Sequence, residues 1–362
     1  MLTRAHVAAL ACLPAAALAQ GSVSLFGIVD VNLLYGRGTI ASRTQLAPGG
    51  SEGPRIGISG AEDLGQGYRA VFWAEGDVFP DSGRGVATNP NNQAVPGAIG
   101  AEGAQGFNFN RLVYVGLQAP WGRFRVGRDY TPTFAVHALY DPAGAGGLLG
   151  SQSAYSSLTV GGHPGGVRVS NSFAVAFGEL RSGPLLHASF AMGENARDGS
   201  ATARDGGYHG IRLAYTVSPV DVAFGWGRHK LASVGDLAET IFGARFEFGA
   251  LNVWMLHVRD RTGTANSMRG SMLGATWPTG PWSLRVTASH GAQRNRAGTP
   301  VGTALKVGAG GSYSLSKRTS VYANVANTRN SHGAAAMPSG GIGQTAPNHG
   351  GHGRELGLRH TF

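Results

Sequence analysis

"WSLRVTASH", residues 282–290, sets Trp282, Leu284, Val286 and Ala288 on one face of an extended chain and Ser283, Arg285, Thr287 and Ser289 on the other. Period two is the signature of a strand with one apolar and one polar face. Taken alone, it suits a half-buried strand of a water-soluble sandwich. The pattern recurs, however. In "LKVGAGGSYSL" (305–315) Leu305, Val307, Ala309, Tyr313 and Leu315 oppose Lys306, Ser312 and Ser314. In "TIFGARFEF" (240–248) Phe242, Ala244, Phe246 and Phe248 oppose Arg245 and Glu247.

Working outward, sixteen such segments are expected, at 22–35, 54–62, 68–75, 108–117, 123–128, 167–177, 184–192, 208–216, 220–229, 239–247, 251–259, 270–277, 282–290, 304–315, 319–327 and 354–362. Their connections alternate between short (63–67, 118–122, 217–219) and long (37–53, 76–107, 129–166, 328–353). Short turns at one end, long loops at the other and an even strand number are the requirements of an outer-membrane barrel. A closed antiparallel ring satisfies every backbone group facing lipid and leaves no edge. The expected fold is therefore all-β: a transmembrane antiparallel β-barrel of 16 strands, with long outer loops, short periplasmic turns and both termini periplasmic. The terminal "LGLRHTF" (356–362) must pair with "GSVSLFGIVDVNL" (21–33) to close it, placing Phe362 at the periplasmic aromatic girdle.

Composition agrees. Only 14% of the 362 residues are charged, against roughly 25% in soluble domains, and 59 are glycine. Mean hydropathy is −0.07. The formal charge of +10 comes from basic residues scattered singly, which excludes a nucleic-acid-binding arm. Beyond the N-terminus no apolar run is long enough for a spanning helix.

The N-terminal "MLTRAHVAALACLPAAALAQ" has Arg4 in a positive region, an apolar stretch from Val7 to Leu18 and Ala17-Leu18-Ala19 as a small-residue cleavage site. It is expected to be a secretory signal peptide, residues 1–19, cut before Gln20. A lipoprotein reading at Cys12 is weaker, because its apolar segment is very short. With cleavage at Ala19 the only cysteine is lost, and an exported, disulfide-free chain 20–362 remains.

Several stretches then acquire a likeness. "QGSVSLFGIVDVNL", "GISGAEDLGQGYRAVFWAE", "NRLVYVGLQAPWGRFRVGRDY", "SYSLSKRTSVYANV" and "LGLRHTF", in this order and spacing, resemble the Gram-negative, betaproteobacterial-type trimeric general porin family from Gln20 to Phe362. The resemblance implies a homotrimer in the cell outer membrane, surrounded by outer-membrane lipid and lipopolysaccharide. It implies a passive channel for small hydrophilic solutes and ions, and a Phe362-bearing strand read by the outer-membrane assembly machinery. It also implies that the third long loop, about 129–166, folds inward as a constriction. There "DPAG" (141–144) stands where the family often carries an aromatic at the position of Ala143.

By parity, Arg55, Arg69, Arg125, Arg168, Arg212, Arg245, Arg285 and Lys306 face the lumen, against Asp30, Glu75, Asp221 and Glu247. Arg128 has the wrong parity and needs a bulge. Arg55, Arg69, Arg125 and Arg128 are expected near the base of the inward loop. With Arg168, Glu75 and the loop acids Asp129 and Asp141 they form the expected constriction. Eight basic residues against four acidic ones predict anion preference, unless Asp129 and Asp141 cancel it.

Other chemistry finds little support. "GGSEG" (49–53) matches a nucleophile-elbow pattern without its strand–turn–helix setting. His332, His349 and His352 lack a carboxylate or thiolate to complete a metal site. No Gly-rich phosphate loop opens a helix. No catalytic set, cofactor or metal is expected, and the chain is read as no enzyme. The alternatives are a solute-selective channel, which differs in degree, and a barrel adhesin or surface antigen, which would have a blocked lumen.

Overall fold

The computed structural model of the chain describes residues 21–88, 92, 106–156, 166–232, 235–263 and 267–362. The expected signal peptide and residues 157–165 of the third long loop lie outside them. In chain order the strands are β1 (Ser22–Arg37), β2 (Ala41–Pro48), β3 (Arg55–Gly65), β4 (Tyr68–Asp77), β5 (Leu112–Ala119), β6 (Gly122–Tyr130), β7 (Arg168–Glu179), β8 (Ser182–Ala191) and β9 (Tyr208–Val217). They continue as β10 (Val220–His229), β11 (Leu237–Phe248), β12 (Leu251–Thr262), β13 (Ser267–Thr279), β14 (Trp282–Arg294), β15 (Pro300–Ser314), β16 (Thr319–Ser331), β17 (Gly343–Gln344) and β18 (Gly351–Thr361). Helices α1 (Pro132–Tyr140) and α2 (Gln152–Ser156) lie between β6 and β7.

All but β2 and β17 form a closed ring of sixteen antiparallel strands, in which β18 pairs with β1 from Ile28 opposite Thr361 to Arg37 opposite His352. The lower half of β1 pairs with β3 and its upper half with β2. At the seam the backbone N–H of Gly27 donates to the Phe362 carbonyl and that of Phe362 to the Gly27 carbonyl, each 3.1 Å.

The two faces follow the sequence alternation. Leu25, Leu273, Val307, Val325 and Leu356 are exposed on the outer wall, while Asp30, Ser289, Lys306, Asn324 and Glu355 are buried inside it. A basic residue on the lipid side at mid-membrane costs roughly 2–4 kcal/mol, so this sidedness is strongly enforced.

Three connections depart from expectation. Residues 37–53 are not an open loop: β2 folds back along β1 from Arg37 opposite Ser42 to Val31 opposite Pro48. Within 328–353, β17 pairs with β2. The third long connection starts at Thr131 rather than at 129, because Asp129 and Tyr130 still pair with Val169 and Arg168, and it carries the helices α1 and α2.

Candidate functional site

The connection after β6 turns into the barrel because its start is a built helix N-terminus. Thr131 is the N-cap, its hydroxyl accepting from the Phe134 N–H at 3.1 Å, and Pro132 follows in the first turn. Val136, Tyr140, Leu148, Leu149 and Tyr155 then bury their apolar surface against the inner wall. The wall is prepared by glycine. A Cβ at Gly243 would strike Tyr140, one at Gly270 Tyr155, one at Gly308 Leu149 and one at Gly353 Leu148. Polar ties fix the seat. The Tyr140 hydroxyl donates to Asp221, Thr133 to Glu239 at 3.1 Å and Thr287 to the Leu149 carbonyl at 2.9 Å. Lys306, 1% exposed, donates to the carbonyls of Leu148, Gly150 and Pro338 and to the Ser153 hydroxyl.

The segment thus lies along β9 to β15 and reaches Gly50, whose carbonyl a Cβ on Gly147 would strike. Asp141 closes the segment on itself. It is buried, and its carboxylate accepts from the N–H groups of Ala143 (2.8 Å) and Ser151 (2.7 Å). It therefore presents no free carboxylate on the loop's open side, because short local hydrogen bonds outcompete solvation. His137 donates to or accepts from Ser151 at 2.8 Å. Burial lowers its pKa, with Asp141 and Glu239 opposing that shift.

The opposite wall carries the charges. Arg55 meets Glu52 at 2.5 Å and Glu75 at 3.8 Å. Arg111 pairs with Glu75, with Asp77 at 2.9 Å and with the Tyr130 hydroxyl at 3.0 Å. Arg125 lies over the Tyr114 ring at 4.4 Å and pairs with Asp129 at 3.0 Å. Arg168 lies over the Tyr130 ring at 4.8 Å. A register shift between Gly127 and Asp129 supplies the bulge that Arg128 requires; its Nε donates to the Asn110 carbonyl at 2.6 Å and another N–H to Ser170 at 2.7 Å. Arg359 reaches Glu52 at 2.7 Å. Arg69 is displaced from its expected position: it opposes Asp63 and Gln118 near the short turn, at the end away from the loop. The GGSEG stretch holds Asp30, which accepts from the N–H groups of Ser51 (3.0 Å) and Glu52 (2.7 Å) and from the Tyr322 hydroxyl.

The parity count was incomplete. Arg123, Arg359, Asp77, Glu239, Asp260 and Glu355 share their strands' inward parity and were legible. Arg111 was not, since it precedes β5 and strand parity does not govern it. With these included, eleven inward basic residues face eight acidic ones, so the surplus is smaller in proportion than eight against four. Layering adds to it: the Glu75 and Asp129 side chains are 5% and 6% exposed, whereas those of Arg55 and Arg125 are 19% and 29% exposed. At these two pairs the acid sits at the wall and the guanidinium covers it, whereas Glu52 and Glu247 are more exposed than Arg55 and Arg245. Among the described residues no group of three His, Cys, Asp or Glu side chains forms a metal site.

Residues 6–333 match the model of a family described as Gram-negative porin. The chain is 31% identical over 372 aligned positions to outer membrane porin protein 32 of Delftia acidovorans, covering 96% of each. In structure it is similar to an anion-selective porin from Comamonas acidovorans, with a TM-score of 0.78 and 27% identity over 95% of this chain and 100% of that one. A trimer form of OmpT from Vibrio cholerae shares the fold at 12% identity and a TM-score of 0.63, over 94% of this chain and 99% of that one.

Proposed function

The chain belongs to the Gram-negative porin family, an outer-membrane general diffusion channel, and from that premise we propose that its pore prefers anions. One observation supports this reading above the others: the guanidiniums of Arg55 and Arg111 are more exposed than the Glu75 they pair with, and that of Arg125 more than Asp129, with Arg359 beside them on Glu52. Glu52 is the exposed acid of this face, and Arg55 and Arg359 both bridge it; rings of arginine favour anions. The segment 131–166 acts as the constriction, with the Arg55–Arg111–Arg168 wall as its opposing face. The Comamonas relative, titled anion-selective, points the same way.

The reading includes cleavage of residues 1–19, a homotrimer packed through lipid-side apolar residues, lipopolysaccharide around the outer rim and delivery by the assembly machinery through the strand bearing Phe362. The chain is assigned no catalysis, cofactor or metal. Proteoliposome swelling tests the pore: gluconate should enter faster than glucosamine, which is of similar size and opposite charge. Equal rates, or faster glucosamine, would contradict anion preference, and no swelling in either would contradict an open channel. A native particle of monomer mass in mild detergent would contradict the trimer.

A further inference from the structure

Resting on that channel reading, we propose that a cavity beneath α1 retains small organic carboxylates that carry an aromatic or branched apolar group, so that the channel discriminates among the anions it passes. The cavity, about 250 Å³, lies between α1 and the wall of β6 to β9, apart from the Arg55–Arg111 face. Its polar end is formed by Arg123, Arg125, Arg212 and His187, and its apolar end by Phe134, Leu139, Val175 and Leu180. Asp129 is the carboxylate on its lining, and it is engaged by Arg125 at 3.0 Å. The guanidiniums of Arg123 and Arg212 are therefore in excess.

Arg212 is 4% exposed, and its Nε has no hydrogen-bond partner among the described residues; neither has His187 Nδ1. A buried cation without an anion is costly, and a carboxylate fits a guanidinium through two parallel hydrogen bonds. An inorganic anion would satisfy the arginines yet leave the apolar end unfilled. Pockets for drug-sized ligands run from about 300 to 1,000 Å³, so this smaller space suits a single-ring monocarboxylate.

The test is block of chloride current through the reconstituted full chain in planar bilayers. Benzoate should block saturably at a concentration at least about tenfold below that of acetate, the apolar end supplying the difference. Benzamide, uncharged and of the same shape, should not block. Arg212→Gln should raise the half-blocking benzoate concentration about tenfold or more, the loss expected for a charge-assisted pair. Ala138→Phe, which fills the cavity without removing a charge, should do the same. Each variant is read against its own chloride current. A protein that conducts no ions contradicts the channel reading, whereas one that conducts and is blocked equally by acetate and benzoate overturns the site alone. If Arg212→Gln fails to fold, Ala138→Phe decides: benzoate block unchanged from the parent overturns the proposal.

Discussion

Arg55 shows how the inner wall separates charge by side-chain length. Its guanidinium bridges Glu52 and Glu75, and it is more exposed than Glu75 at the wall and less exposed than Glu52. Two unit charges about 6 Å apart in water interact by about 0.7 kcal/mol, which corresponds to about a threefold bias in ion occupancy. Arg55→Gln or Arg111→Gln should therefore lower the anion-to-cation permeability ratio about threefold at 0.1 M salt, where the Debye length is about 10 Å. At 1 M, where it is about 3 Å, the effect should nearly vanish. Arg69→Gln, at the far mouth beside Asp63, should shift the ratio far less. Equal shifts from Arg55→Gln and Arg69→Gln, measured as zero-current potentials, would show that the loop-facing wall does not set selectivity.

At the scale of elements, the inward segment is held by a buried ammonium. Replacing Lys306 with methionine leaves the carbonyls of Leu148, Gly150 and Pro338 without that donor, and a buried orphaned acceptor costs about 1–3 kcal/mol. Lys306→Met should make single-channel traces noisy and open residues 143–150 to protease; quiet, protease-resistant channels would contradict the anchoring role. His137 adds a pH dependence. Burial lowers its folded pKa below the ordinary histidine value of about 6.5, so folded protein binds fewer protons than unfolded. The stabilisation is present above pH 6.5 and is lost as pH falls toward the folded value. Closing events should rise below pH 6.5 and flatten in His137→Gln; identical profiles would exclude His137 as the cause. The sixteen wall strands were legible because lipid on one side and water on the other enforce period two. Strand β2 was not: "ASRTQLAP" (41–48) carries polar residues on both faces, so no apolar–polar alternation marks it. The inward segment's helical path was hidden too, since Tyr140, Tyr155, Leu149 and Leu148 meet glycines scattered over β11, β13, β15 and β18, contacts that no local pattern records. The burial of Asp141 is not legible in sequence, because its bonds to Ala143 and Ser151 depend on a turn that forms only in three dimensions.

For the whole molecule, closure and charge layering act together. The ring places β1 against β18 and brings Arg359 to Glu52, so the first and last strands contribute to the same basic face as Arg55 and Arg111. The inward segment fills the β9–β15 side and steers passing ions toward that face, where low-dielectric walls focus the field. The central claim is that this arrangement, together with the surplus of inward basic residues, makes the pore anion-preferring. It is tested most directly by the zero-current potential of the unmodified protein in a planar bilayer across a KCl gradient. The account predicts a potential of the sign set by chloride, shrinking as both sides are raised toward 1 M. A potential of the sign set by potassium, or one independent of salt, would contradict it.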